Sequence, residues 1–289
     1  MKKEIIGFIG LGVMGKSMAR HLLNAGYPLI VFTRTKEKAE DFIKEGAIWK
    51  DTVKDIAKEA DVIITMVGYP KDVEEVYFGE NGILANAKRG GFCIDMTTSK
   101  PELAVEIYKQ AKERGISFLD APVSGGDVGA KNGTLTIMVG GDEEAFQHCL
   151  PIFEKMGTNI VHQGEAGAGQ HTKMCNQIAI AAGMISVCEA LAYAKHAGLD
   201  PEKVLKSISV GAAGSWSLSN YAPRILAKQF DPGFYIKHFI KDMDIALEEA
   251  EKMEVPVPGL RLARELYGEL AERGEENSGI HALYKLWSE

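Results

Sequence analysis

The sequence predicts an α/β, doubly wound N-terminal domain followed by an all-α C-terminal domain. Three observations carry this expectation. Short β-rich runs alternate with helical patterns through the first half of the chain, as parallel strands joined by crossover helices require. A glycine triplet stands where the first run passes into the first helical pattern. After about residue 163 every regular pattern has helical period.

Taken in order, "EIIGFIG" is a strand and "VMGKSMARHLLNAG" a helix that Gly26 stops. "PLIVFT" is the second strand, and "TKEKAEDFIKEG" a short helix ended by Gly46. "DVIITMV" is a continuous apolar run of strand length, as a sheet covered on both faces demands. "GGFCIDMT", "SFLDAPVS" and "TLTIMVGG" continue the series, with "KPELAVEIYKQAKERG" as an intervening helix. Domains are therefore expected at residues 1–163 and 164–289. The second opens on a long apolar interdomain helix from Gly167 to Gly198, and four further segments of helical period follow it. A helix so apolar needs apolar surface on several sides, in its own domain or between subunits, so a homodimer or homotetramer is expected.

The 289 residues suffice for a sizeable core without covalent staples. A net charge of −7 gives no general attraction for nucleic acid or an anionic membrane, so any anion must be bound locally. Cys93, Cys149, Cys175 and Cys188 form no CxxC pair and have no histidines at metal spacing, so reduced thiols in a cytoplasmic protein are expected and no metal site is assigned. "MKKEIIGFIG" reads as a strand rather than a signal peptide. No uninterrupted apolar run approaches the ~18 residues of a membrane span, so none is expected.

The triplet reads Gly10-Leu11-Gly12-Val13-Met14-Gly15. Directly after a strand and opening a helix, it is the fingerprint of a Rossmann-type dinucleotide site. Gly10 permits the tight turn, Gly12 lets backbone approach a pyrophosphate, and Gly15 lets the helix pack on the strand. The end of the second strand, where an acid would grip the ribose of NAD, carries Thr33, Arg34 and Thr35 instead. A guanidinium flanked by hydroxyls accepts a 2′-phosphate, which predicts NADP(H) in preference to NAD(H). The bland alternative is a solvated basic patch, although basic residues are unhelpful at a helix start without an anion.

Three stretches are candidates for the substrate end. "IDMTTSKP" brings Thr97, Thr98 and Ser99 to the carboxyl end of a strand, where doubly wound sheets bind ligands; capping of the helix at Pro101 is the competing use. "DAPVSGG" places Ser124, Gly125 and Gly126 in an exposed turn, either a small anion cradle or a plain turn. In "GAGQHTKMCNQ", Lys173 shares a helix face with Asn176 and Gln177. It is either a lysine snorkelling from a buried helix or an acid that protonates a carbonyl as hydride arrives.

Together "GFIGLGVMG", "DMTTSKP", "DAPVSGG", "GAGQHTKMCNQ" and "FYIKHFIKDMDIAL", in that order, resemble the β-hydroxyacid dehydrogenase family over essentially the whole chain. That family includes 3-hydroxyisobutyrate dehydrogenases, tartronate semialdehyde reductases and glyoxylate/succinic semialdehyde reductases. The resemblance implies hydride transfer between NAD(P) and a short 3-hydroxy acid or its semialdehyde. It implies Lys173 as acid and base with Asn176 orienting it, and Ser124, Gly125 and Gly126 on the substrate carboxylate. It further implies Thr98 near nicotinamide and substrate, Val67 and Lys241 on the cofactor, and Phe234 and Asp242 closing the site. Two positions depart from the family: Gln177 stands where some relatives carry a second asparagine, and Thr33 where many NADP members carry asparagine. Among rivals, imine reductases usually show Asp or Tyr in place of Lys173, and 6-phosphogluconate dehydrogenases are far longer. A non-catalytic NADP-binding sensor or scaffold would keep the glycine loop without the substrate-side residues.

Overall fold

In the computed structural model, which describes residues 3–288, the chain forms two compact units, one ending at Lys173 and the other beginning at Met174. The first contains β1 (Ile6–Ile9), α1 (Val13–Asn24), β2 (Leu29–Phe32), α2 (Glu40–Lys44), β3 (Ile48–Trp49), α3 (Val53–Glu59), β4 (Val62–Thr65), α4 (Pro70–Phe78) and α5 (Ile83–Asn86). It continues through β5 (Phe92–Asp95), α6 (Pro101–Glu113), β6 (Ser117–Asp120), β7 (Val123–Ser124), α7 (Gly126–Asn132), β8 (Leu135–Gly141), α8 (Glu143–Phe153) and β9 (Gly157–Gly164). The nine strands form one sheet in the order β3-β2-β1-β4-β5-β6-β8-β7, with β9 paired to β8.

From β3 to β6 every pairing is parallel, and side chains alternate between two apolar layers. Phe8, Val31, Ile64 and Ile94 enter one layer; Ile9, Ile30, Ile63 and Cys93 enter the other. This period-two division is why the strands read as unbroken apolar runs. Beyond β6 the sheet departs from the purely parallel expectation, because β8 runs antiparallel to both β6 and β7. "SFLDAPVS" is two strands rather than one, broken at Ala121 and Pro122. The link from Ser124 to Leu135 is shorter than the dozen residues a parallel crossover needs, so the chain folds back instead.

Helix α9 (Ala168–His196) begins in the first unit and continues into the second, which adds α10 (Pro201–Ile208), α11 (Trp216–Leu226), α12 (Ile236–Lys252), α13 (Pro258–Leu270) and α14 (Lys285–Ser288). By length and composition α9 could cross a membrane, but half of its most apolar window is buried within the protein. Met184, Cys188 and Leu191 join Phe239, Met243 and Tyr267 in the core of the second unit. Asp200 and Ser215 cap α10 and α11 by accepting backbone N–H groups.

His281 is fully buried in that unit, stacked on Tyr221 with ring centroids 5.0 Å apart. Its Nε2 lies 2.7 Å from the Gln229 carbonyl, so Nε2 carries the proton and Nδ1 is left bare. Burial holds its pKa below the ordinary 6.5. A base depressed on folding stabilises the fold above its unfolded pKa and loses that contribution as pH falls. Unfolding free energy is therefore expected to fall below pH 6.5, and His281→Phe to flatten part of that slope in denaturant titrations. An unchanged slope contradicts the assignment.

Candidate active site

The carboxyl ends of adjacent parallel strands bring the cofactor candidates to one sheet edge. Gly10 follows β1, Thr33 and Arg34 follow β2, Val67 follows β4 and Thr97 to Ser99 follow β5. At Gly10 the φ is +102°, and a Cβ there would collide with the Met66 carbonyl. One at Gly15 would strike the Gly10 carbonyl, whereas one at Gly12 would meet nothing within 4 Å. Helix α1 starts at Gly12 with no side-chain cap and no acid in its first turn. Open backbone beside an uncapped helix start fits a dinucleotide pyrophosphate. The side chain of Leu11 is buried in the core, so only its backbone is available there, while Val13 is exposed and Met14 half-buried.

Arg34 is mostly exposed, and its Nη1 lies 3.3 Å from Asp72 Oδ1. Asp72 is itself fixed by the Tyr69 N–H, donating to Oδ2 at 3.0 Å. Five N–H donors leave Arg34 capacity for a phosphate beside this contact. Nothing in the local sequence announced Asp72, which reaches residue 34 only through the sheet order.

Thr97 joins two strand ends. Its Oγ1 accepts the Val67 N–H at 3.0 Å, and its own N–H donates to Asp95 Oδ1 at 3.1 Å. Thr65 also donates its hydroxyl to Asp95 Oδ1, at 2.8 Å. Burial pushes the Asp95 carboxyl up to about 6 despite these bonds. Thr98 beside it is half-buried. Ser124 is half-buried in β7, and Gly125 and Gly126, with φ of +128° and +62°, lead into α7. The expected exposed turn is thus a partly buried strand-to-helix corner, because β7 pairs with β8.

Lys173 lies one turn into α9 and is only 6% exposed. The start of that helix is pinned by Asp120, whose Oδ1 accepts the Gly167 N–H at 2.7 Å and whose Oδ2 accepts the Gln170 N–H at 2.8 Å. Neither Asp120 nor Gln170 carries a task that its local sequence announces. Within the second unit, Asn176 donates to Gln177 Oε1 at 2.8 Å, and Gln177 donates to Asp242 Oδ2 at 2.6 Å. Lys241 Nζ stands 3.0 Å from Asp242 Oδ1. Asn176, Gln177, Lys241 and Asp242 are thus brought together, and Gln177 is buried as their link. Phe234 packs against Phe239, with ring centroids 5.6 Å apart. Among the described residues no group of three or more His, Cys, Asp or Glu could hold a metal.

The glycine loop and the shared strand edge define a Rossmann-type dinucleotide-binding domain. Residues 5–164 match the model for the NAD binding domain of 6-phosphogluconate dehydrogenase, and residues 167–287 that for the NAD-binding domain of NADP-dependent 3-hydroxyisobutyrate dehydrogenase. An oxidoreductase of Bacillus subtilis is 70% identical over 99% of both chains. The 2-hydroxy-3-oxopropionate reductase of Escherichia coli is 39% identical, over 96% of this chain and 95% of its own. The structure of Mycobacterium tuberculosis 3-hydroxyisobutyrate dehydrogenase with L-serine superposes with a TM-score of 0.91 at 30% identity, covering 99% of this chain and all of that one. The chain belongs to the β-hydroxyacid dehydrogenase family and is an NAD(P)-dependent hydroxyacid dehydrogenase.

Asp95 supplies a check on the strand-edge electrostatics. An acid whose pKa rises on folding costs stability once ionised, and the cost grows from pH 3.8 to about 6. Asp95→Asn keeps an acceptor for Thr97 and removes the ionisation, so above pH 6 it is expected to be more stable by on the order of 3 kcal/mol. Equal or lower stability than the parent there contradicts this reading.

Proposed function

We propose that the protein interconverts a short 3-hydroxy acid and its semialdehyde with NADP(H), using Lys173 as general acid in reduction and base in oxidation. The observation that carries this is a lysine buried to 6% exposure on a helix pinned to the strand edge. Burial on a fixed helix restricts where the Lys173 amine can reach, which suits a group that transfers a proton to one oxygen. The small molecules named with two relatives support the substrate class. Both 2-hydroxy-3-oxopropionate and L-serine join a carboxylate to an oxygen-bearing third carbon.

A bound nicotinamide supplies the hydride in reduction and accepts it in oxidation. The chain's residues provide orientation and a proton. Ser124 and the backbone of Gly125 and Gly126 receive the substrate carboxylate. Lys173 donates a hydrogen bond to the carbonyl and delivers its proton to that oxygen as the carbon is reduced. In the other direction it withdraws the proton from the hydroxyl. Asn176, tied to Gln177 and through it to Asp242, orients Lys173. Thr98 and Val67 line the cofactor at the sheet edge, and the family resemblance assigns Lys241 to the cofactor and Phe234 and Asp242 to the substrate. Thr33, Arg34 and Thr35 receive the 2′-phosphate, with Asp72 steadying Arg34.

Lys173→Ala is expected to lower kcat by ~10²–10⁴-fold while NADPH affinity stays near that of the parent. Near-parental turnover in stopped-flow or steady-state reduction overturns the role of Lys173. Arg34→Glu is expected to move the ratio of kcat/KM for NADPH over NADH by at least about tenfold toward NADH, equivalent to ~1.4 kcal/mol. An unchanged ratio removes the 2′-phosphate assignment.

A further inference from the structure

Gln170 is a fully buried amide whose two ends both meet main chain. Its Oε1 accepts the Ser99 N–H at 2.9 Å, and its Nε2 donates to the Thr97 carbonyl at 2.8 Å. Its own backbone N–H donates to Asp120. Because Thr97 also receives the Val67 N–H and donates to Asp95, a continuous chain of hydrogen bonds crosses the carboxyl ends of β4, β5 and β6 and terminates in the first turn of α9.

Asp120 and Gln170 do different mechanical work. The carboxylate of Asp120 holds the backbone of the helix start, through the N–H groups of Gly167 and Gln170. The two side-chain bonds of Gln170 tie the body of the helix to the Thr97–Ser99 segment. Lys173 follows three residues later, and a lysine amine sits far from the axis. A roll of ~10° there displaces it by about 1 Å, a misplacement that costs ~10²-fold in rate.

We propose that Gln170 is a positioning residue for the reaction: its amide sets the roll of α9 and so places Lys173 relative to the Thr97–Ser99 segment. This rests on the reading of Lys173 as the acid. Gln170 touches neither substrate nor cofactor in this role, and an apolar side chain of equal length could fill the same volume without performing it.

Two substitutions test this, with Lys173→Ala alongside. Gln170→Met keeps length and removes both bonds. Expected are a fall of ~10–100-fold in kcat, little change in KM for the aldehyde or in NADPH affinity by fluorescence, and faster amide exchange at Ser99 in the cofactor-free protein. Gln170→Glu restores the donor to the Thr97 carbonyl only when the new carboxyl is protonated. Its kcat is expected to recover as pH falls, along a limb the parent profile lacks, with NADPH affinity measured at each pH to show an intact fold. Parental kcat in Gln170→Met, or a Gln170→Glu profile parallel to the parent's, overturns the proposal; if Gln170→Met does not fold, Gln170→Glu decides. If Lys173→Ala retains parental turnover, the reading of Lys173 falls and takes this one with it. If Lys173→Ala is inactive and Gln170→Met is parental, only the positioning role falls.

Discussion

The first unit depends on one buried carboxylate. Asp120, at the end of β6, spends both oxygens on the backbone N–H groups of Gly167 and Gln170, and so stitches the sheet to the first turn of α9. Burial raises its pKa, and the two N–H donors oppose that rise. The surrounding backbone is shaped around it. A Cβ at Gly169 would collide with the Met138 carbonyl and crowd Asp120, and one at Gly140 would come within 2.6 Å of its Oδ1. The glycines around this contact are therefore a consequence of how closely helix and sheet approach.

From that contact the chemistry is ordered along the strand ends. Asp95, Thr97 and Val67 join β4 and β5, and Gln170 carries the order into the helix that bears Lys173. Asp95, Thr97 and Gln170 are hydrogen-bonded here because an unpaired buried amide or carboxylate is costly, while the buried Ser99 hydroxyl in the same segment has no partner among the described residues. In the second unit the same logic recurs independently. Gln177 is buried between Asn176 and Asp242, and Asp242 is met by Lys241.

Much of this was legible in the sequence, for physical reasons that also set the limits. Strands covered on both faces must be continuously apolar, so β1, β2, β4 and β5 announce themselves. The Gly10 to Gly15 loop combines a turn, a close approach and a packing contact in six residues. What the sequence hides is set by long-range pairing. The sequence places Thr97, Thr98 and Ser99 together at the strand end, and only the fold shows that Thr97 joins the strand ends. The tasks of Asp120, Gln170 and Asp72 appear only once distant segments meet. The antiparallel return at β7 and β8 was likewise invisible, since a strand's composition does not state its direction.

In the proposed reaction a semialdehyde is held by its carboxylate while its carbonyl is reduced. The direct measurement is NADPH and NADH consumption with glyoxylate, succinic semialdehyde, tartronate semialdehyde and methylmalonate semialdehyde, each set beside an aldehyde of matched size without the carboxylate. The account predicts turnover with at least one carboxylate-bearing aldehyde, faster with NADPH than NADH, and little with its matched partner. No oxidation of either cofactor by any of the four, or equal rates without the carboxylate, would contradict it.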